Sequence, residues 1–287
     1  MLCFINLVFF DRNLFDLYSL KNKVVVVTGA SSGIGKAAAI AFAKEGCRVV
    51  ISARTKKNLD EAEAEIKKIT PDVLSMETDV SKEVDCKRLM EETIKRFGQI
   101  DVLVNNAGIS MRALFNDTDL SVLKKLMDIN FWGTVYCTKY ALPEILKNKG
   151  VVVGVSSIAG FKGLPGRTGY SASKFAMHGF LESLRIENLK TGIHVLLLCP
   201  GYTASNIRNT ALNKEGNAQG DTPLDEKKLM SPEAVAQYLL YGIKRKKNTI
   251  ILTAQGKLVT LLNKFFPKFL DKQVYKTVSK EKDSPFK

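Results

Sequence analysis

The 287-residue sequence predicts an α/β protein: a doubly wound parallel sheet of about seven strands, helices on both faces, and a C-terminal amphipathic helical tail. Short β-branched runs alternate with helix-period stretches along most of the chain, which is the pattern of repeated βα units. The strand runs are apolar throughout rather than alternating, as strands covered on both faces must be. A hydrophobic content of 45% with 25% charged residues supplies the core such a sheet needs.

The elements follow in order. Residues 24–27 are four valines and form the first strand; a Gly-rich turn and a helix through Lys44 come next. Residues 48–51 give the second strand and 57–69 a charged amphipathic helix. A strand at 73–77, a helix at 83–97 and a strand at 102–104 continue the alternation. One long helix is predicted from about 120 to 146, then a strand at 151–155, a helix at 170–189 and a strand at 194–198. Residues 201–230 are polar and long for a plain connection, and are predicted to form a substrate lid. Ser231-Pro232 starts another helix, with serine as the cap and proline in the first position, running to about Lys244. The last strand is predicted at 249–252. The main domain is thus residues 20–253, preceded by an apolar extension (1–19) and followed by a basic amphipathic tail (254–287).

Composition narrows the function classes. The five cysteines are scattered without C-x-x-C spacing, which predicts free thiols in a reducing, cytoplasmic setting. The two histidines and the carboxylates show no metal-ligand spacing, so no metal site is expected. Of the net charge of +14, residues from Lys244 onward carry +9, leaving +5 for the rest. A basic tail predicts a surface-binding segment; with no zinc finger and no aromatic-plus-basic RNA motif, nucleic acid is not the expected partner. The apolar first ten residues are too short to span a bilayer, which takes about 20, and lack the basic start of a signal peptide.

The stretch Thr28-Gly29-Ala30-Ser31-Ser32-Gly33-Ile34-Gly35 lies between a buried strand and a helix start. Glycines there permit a tight turn and close approach of a pyrophosphate to the helix N-terminus, so nucleotide binding is expected. The second strand ends Ser52-Ala53-Arg54-Thr55, with no acid for a ribose 2′-hydroxyl. Arg54 instead suits a 2′-phosphate, favouring NADP(H) over NAD. Tyr170 and Lys174 stand four residues apart and so share a helix face. A cation beside a phenol is expected to lower its pKa and make the pair a proton-transfer device.

In these motifs the chain resembles the short-chain dehydrogenase/reductase family over about residues 20–252. The family's Gly-rich motif matches Thr28, Gly29, Gly33 and Gly35, with Ser31, Ser32 and Ile34 in the same turn. The resemblance implies a Rossmann fold in which Asp79, followed by Val80, contacts the adenine. Asn105-Asn106-Ala107-Gly108 matches the motif that flanks the cofactor. Pro200-Gly201 matches the motif after the sixth strand, with Thr203 on the nicotinamide carboxamide. Asn130, Ser157, Tyr170 and Lys174 match the catalytic set. It implies that Tyr170 protonates the developing alkoxide, Ser157 orients the carbonyl, and Lys174 lowers the Tyr170 pKa and binds the nicotinamide ribose. Asn130 is implied to hold a water that connects Lys174 to solvent. Ser156 is chemically equivalent to Ser157, and the thirteen-residue spacing to Tyr170 selects Ser157. The family also implies a homodimer or homotetramer.

Ile109, Met111, Leu114 and Phe115, with Phe161, Leu164 and Tyr202, are expected to line an apolar mouth, which favours a hydrophobic ketone. The tail is amphipathic and lysine-rich, and Pro267 is expected to split it into two helices. Such a segment suits peripheral contact with a membrane surface; packing on its own domain or on a second subunit is the alternative. Together these features resemble family members acting on lipid-like ketones, among them 3-ketosphinganine reductase and 11-beta-hydroxysteroid dehydrogenase. A long-chain 3-keto lipid, a steroid or a 3-ketoacyl thioester are the candidate substrates. A non-catalytic NADP-binding scaffold or sensor is the reading from another class.

Overall fold

The computed structural model describes residues 17–204, 207–220, 229–281 and 284–286. Most of the apolar extension (residues 1–16) and residues 205–206 and 221–228 of the expected lid lie outside the described residues.

Seven parallel strands form one sheet in the order β3-β2-β1-β4-β5-β6-β7. They are β1 Val24–Thr28, β2 Arg48–Ala53, β3 Val73–Glu77, β4 Val102–Asn105, β5 Val151–Val155, β6 His194–Cys199 and β7 Thr249–Ile251. β1, β4 and β5 are buried along their whole length, which explains why their runs are valine-rich rather than alternating with polar residues. Helices α1 Gly33–Lys44, α2 Lys56–Lys67, α3 Glu83–Phe97, α4 Leu120–Leu126, α5 Gly133–Lys147, α6 Thr168–Glu187 and α7 Pro232–Lys244 join or follow the strands. Two apolar clusters result, one holding alternate strand residues with α1, α2 and α7, the other holding the opposite set with α3, α5 and α6. The strand order reverses where β1 meets β4, and a crevice at such a switch point is where this class of sheet binds ligands.

The expected long helix over 120–146 is not continuous. A π-helical segment, Met127–Trp132, separates α4 from α5. Two contacts account for it. The Asn130 side chain is fully buried and bonds across to the loop after β4, while Gly133 lies so close to Val80 that an added Cβ would sit 2.8 Å from its Cγ2. A π turn inside a helix commonly marks a functional position. Ser231 caps α7 as expected, accepting from the Ala234 N–H at 3.1 Å, with Pro232 in the first position.

The tail forms α8 Ala254–Phe265 and α9 Pro267–Ser279, divided at Pro267 as expected. Its inner side packs on the domain: Asn263 donates to the Phe161 carbonyl at 2.9 Å, Lys162 pairs with Asp271, and Arg112 pairs with Glu281 at 2.7 Å. Among the described residues, no helix is long and apolar enough to cross a membrane.

Candidate active site

The C-terminal ends of β1 and β4 are tied together by two side chains. The Thr28 hydroxyl accepts from the Asn106 and Ala107 N–H groups, both at 3.1 Å. The Asn106 amide donates to the carbonyls of Thr28 (2.9 Å) and Gly29 (3.1 Å). The turn between them is tight enough to require glycine. Gly29 has φ +65°, and a Cβ on Gly35 would lie 2.3 Å from the Gly29 carbonyl oxygen. Ser31 and Ile34 are half-buried and Ser32 is exposed. Ser32 occupies the cap position of α1 in extended geometry yet makes no side-chain cap, and the first turn contains no acid. Among the described residues the leading N–H groups of α1, starting at Gly33, therefore have no side-chain acceptor, and a helix start in this state suits a phosphate. This uncapped start, held against a backbone with no room for a side chain, fits a dinucleotide pyrophosphate.

Arg54 is exposed at the end of β2 and makes no hydrogen bond or ion pair with the described residues. Lys36, on the first turn of α1, is paired with Glu65 at 2.6 Å. Asp79 follows β3; its carboxylate accepts from the Ser81 backbone and hydroxyl at 3.1 and 2.7 Å, which fixes the loop carrying Val80. Pro200 and Gly201 follow β6, and Gly201 lies against Thr253, where a Cβ would meet the threonine methyl at 2.9 Å. Thr203 is buried, with its hydroxyl turned back to the Gly201 carbonyl at 3.3 Å.

Gly108 links this region to the proton-transfer residues. A Cβ there would lie 3.2 Å from Asn130 Oδ1 and 3.6 Å from Lys174 Nζ. The Asn130 side chain accepts from the Ile109 N–H at 2.8 Å and donates to the Ile109 carbonyl and the Ser173 hydroxyl, both at 2.9 Å. Its amide is thus committed to protein partners. Its backbone carbonyl accepts from the Thr134 hydroxyl at 3.0 Å.

Tyr170 and Lys174 are both buried on α6, with the ammonium 5.8 Å from the phenol ring centre and donating to the Val155 carbonyl at 3.0 Å. The expectation that Lys174 lowers the phenol pKa is corrected. Burial raises it above the ordinary tyrosine value; a hydrogen bond to Ser157 and the charge of Arg167 pull it down, but by less. Burial also brings Lys174 down to about 8. Both charged forms are penalised by the same dry surroundings, so the protein alone keeps the phenol protonated.

Ser157 caps a 3-10 turn, Ile158–Gly160, accepting from Ala159 N–H at 3.2 Å. The two adjacent serines point to different partners: Ser156 meets His178 Nε2 at 2.6 Å, while Ser157 faces Tyr170. His178 is a participant not foreseen from the sequence. It stands eight residues after Tyr170 on the same face of α6, its ring packs edge-on against Phe161 at 4.6 Å, and burial brings its pKa to about 4, so it is neutral. The i, i+4, i+8 spacing of Tyr170, Lys174 and His178 was the available signal.

The residues expected at the apolar mouth do not all reach the surface. Ile109 and Met111 are core residues. Leu164 and Tyr202 instead line a concavity with Arg112, Arg167, Val278 and Glu281, so the tail forms part of its wall. Among the described residues, no group of three or more His, Cys, Asp or Glu could hold a metal ion.

The chain is similar to known proteins of one family. Residues 23–216 match the family described as short chain dehydrogenase. The chain is 41% identical over 210 residues to 11-beta-hydroxysteroid dehydrogenase A of Arachis hypogaea, covering 72% of this chain and 59% of the relative's length. It is 40% identical over 214 residues to 11-beta-hydroxysteroid dehydrogenase-like 4A of Arabidopsis thaliana, covering 74% and 71%. In structure it is similar to a short chain dehydrogenase/reductase from Burkholderia phymatum solved with NAD, with TM-score 0.78, 22% identity, and coverage of 88% of this chain and 96% of that one. It is also similar to an alcohol dehydrogenase from Thermococcus sibiricus solved with 5-hydroxy-NADP, with TM-score 0.70, 24% identity, and coverage of 81% and 96%. At these identities the structural likeness speaks to the fold.

Proposed function

The chain belongs to the short-chain dehydrogenase family, and on that premise we propose that it is an NADPH-dependent oxidoreductase reducing a hydrophobic ketone to an alcohol. The observation that carries this reading is the placement of a buried Tyr170 with Lys174 one helical turn away on α6 and Asn130 and Lys174 both against Gly108, next to the Gly-rich turn. When bound, NADPH supplies a hydride to the carbonyl carbon. The Ser157 hydroxyl donates a hydrogen bond to the carbonyl oxygen and fixes its position. The Tyr170 phenol then gives its proton to the developing alkoxide, so the C=O becomes CH–OH. The resulting phenolate regains a proton from solvent by way of Lys174 and a water on the Asn130 carbonyl. Gly33 to Gly35 would hold the pyrophosphate, Arg54 the 2′-phosphate, Asp79 and Val80 the adenine, and Thr203 the carboxamide.

The phenol is protonated at neutral pH, so the tyrosine begins a reduction cycle with the proton it must give. The names of the plant relatives support a bulky apolar substrate, and the tail at the wall of the concavity supports a lipid-like one. Within that class, a long-chain 3-keto lipid such as 3-ketosphinganine is the specific candidate, with a steroid or a 3-ketoacyl thioester next. The test is NADPH consumption with 3-ketosphinganine, an 11-ketosteroid, a 3-ketosteroid and a 3-ketoacyl thioester. Turnover on one of these supports the reading; NADPH binding with no turnover on any ketone would leave the scaffold as the better account.

A further inference from the structure

We propose that the outer face of α8 and α9 is a docking surface for an anionic lipid membrane. This goes beyond the reductase reading and does not depend on it. The tail is two-sided. Its inner side is held to the domain by Asn263, Asp271 and Glu281, and Gly256 is pressed on Ile158, where a Cβ would meet a methyl at 2.4 Å. The opposite side has no cover among the described residues. Leu258, Leu261 and Phe265 fall at i, i+3 and i+7, on one face of α8, and are 54, 56 and 61% exposed. Phe266 and Phe269 continue the stripe into α9 at 61 and 53%.

Charge decides what covers this face. Residues 254–281 contain six lysines and two acids, Asp271 and Glu281. Both acids are engaged by cations of the domain, Lys162 and Arg112. The outer face is left with leucine and phenylalanine bordered by Lys257, Lys264, Lys268, Lys272 and Lys276, all exposed. A second copy would bring the same cations against these, so self-association is opposed. An anionic bilayer satisfies both features: the apolar stripe enters the acyl boundary and the lysines reach the headgroups. Each lysine brought to such a surface strengthens binding roughly fivefold.

The experiment is co-sedimentation of the full chain with vesicles of phosphatidylcholine alone and of phosphatidylcholine with phosphatidylserine. Two variants accompany it, Phe265→Ser with Phe269→Ser and Lys264→Glu with Lys268→Glu. The expected result is binding to the anionic vesicles that weakens with salt, and a loss of about tenfold or more in each variant, with NADPH affinity unchanged. Absence of binding by the intact chain, or binding that survives both variants, would overturn the proposal. A concentration-dependent dimer in analytical ultracentrifugation that the same substitutions abolish would assign the face to a second copy and overturn it equally.

Discussion

Replacing Asn130 with alanine should unseat the π segment and the loop that carries Gly108. The side chain is 0% exposed and makes three hydrogen bonds, two of them to the backbone of Ile109. Truncation orphans the Ile109 N–H and carbonyl in a buried site. Each buried group left without a partner costs about 1–3 kcal/mol, so the loss is roughly 2–6 kcal/mol. Ser173 loses less, because its hydroxyl also donates to the Tyr170 carbonyl at 2.8 Å. Against a typical domain stability of about 5–15 kcal/mol, such a loss is large. Thr134→Val is the contrast: it removes one bond, to the Asn130 carbonyl at 3.0 Å, and should cost only about 0.5–1.5 kcal/mol. Urea unfolding followed by the fluorescence of Trp132 reads both, since this lone tryptophan is two residues from Asn130. A loss below about 1 kcal/mol for Asn130→Ala with an unchanged denaturant slope would refute the reasoning, because the Ile109 clamp would then contribute nothing net.

Arg54→Asp should lower the ratio of kcat/KM for NADPH over NADH by about tenfold or more, the worth of one charge-assisted hydrogen bond; an unmoved ratio removes Arg54 from the 2′-phosphate. Lys174 supplies a pH signature. Its folded-state pKa is about 8, below the ordinary 10.5, so between those values the unfolded chain holds a proton that the folded one has shed. Stability should therefore rise with pH across that window, by on the order of 3 kcal/mol relative to Lys174→Met. Parallel stability-versus-pH curves for the two proteins would show that Lys174 is not held down by burial. In the same window NADPH affinity should fall in the wild type as the ammonium loses its charge.

The frame of the fold was legible because the central strands are valine runs and the punctuation is explicit: Gly29 to Gly35 after β1, Ser231-Pro232 before α7, Pro267 in the tail. The π segment was not legible, since nothing in a helix-period stretch reveals that Asn130 will bond backward to Ile109. Tyr170, Ser157, Asn130 and Lys174 were readable from spacing, but their electrostatics were not. A sequence shows that a cation is one turn from a phenol, whereas the depth at which both are buried, which here reverses the sign of the phenol shift, emerges only from packing. His178 shares the helix face of Tyr170 and Lys174 by spacing, but that spacing gains meaning only once Ser156 stands beside it. Similarly, the division of the tail into a docked side and an open side depended on where Arg112 and Lys162 would stand.

The central claim is that Tyr170 gives the proton in ketone reduction. Tyr170→Phe removes one oxygen and leaves the ring to pack, so the measurement is single-turnover oxidation of bound NADPH by a ketone substrate, alongside NADPH affinity from cofactor fluorescence. The predicted result is a rate lower by roughly 10²–10⁴-fold with affinity changed by less than about threefold. A variant that reduces the ketone at about a tenth of the wild-type rate or faster would contradict the assignment.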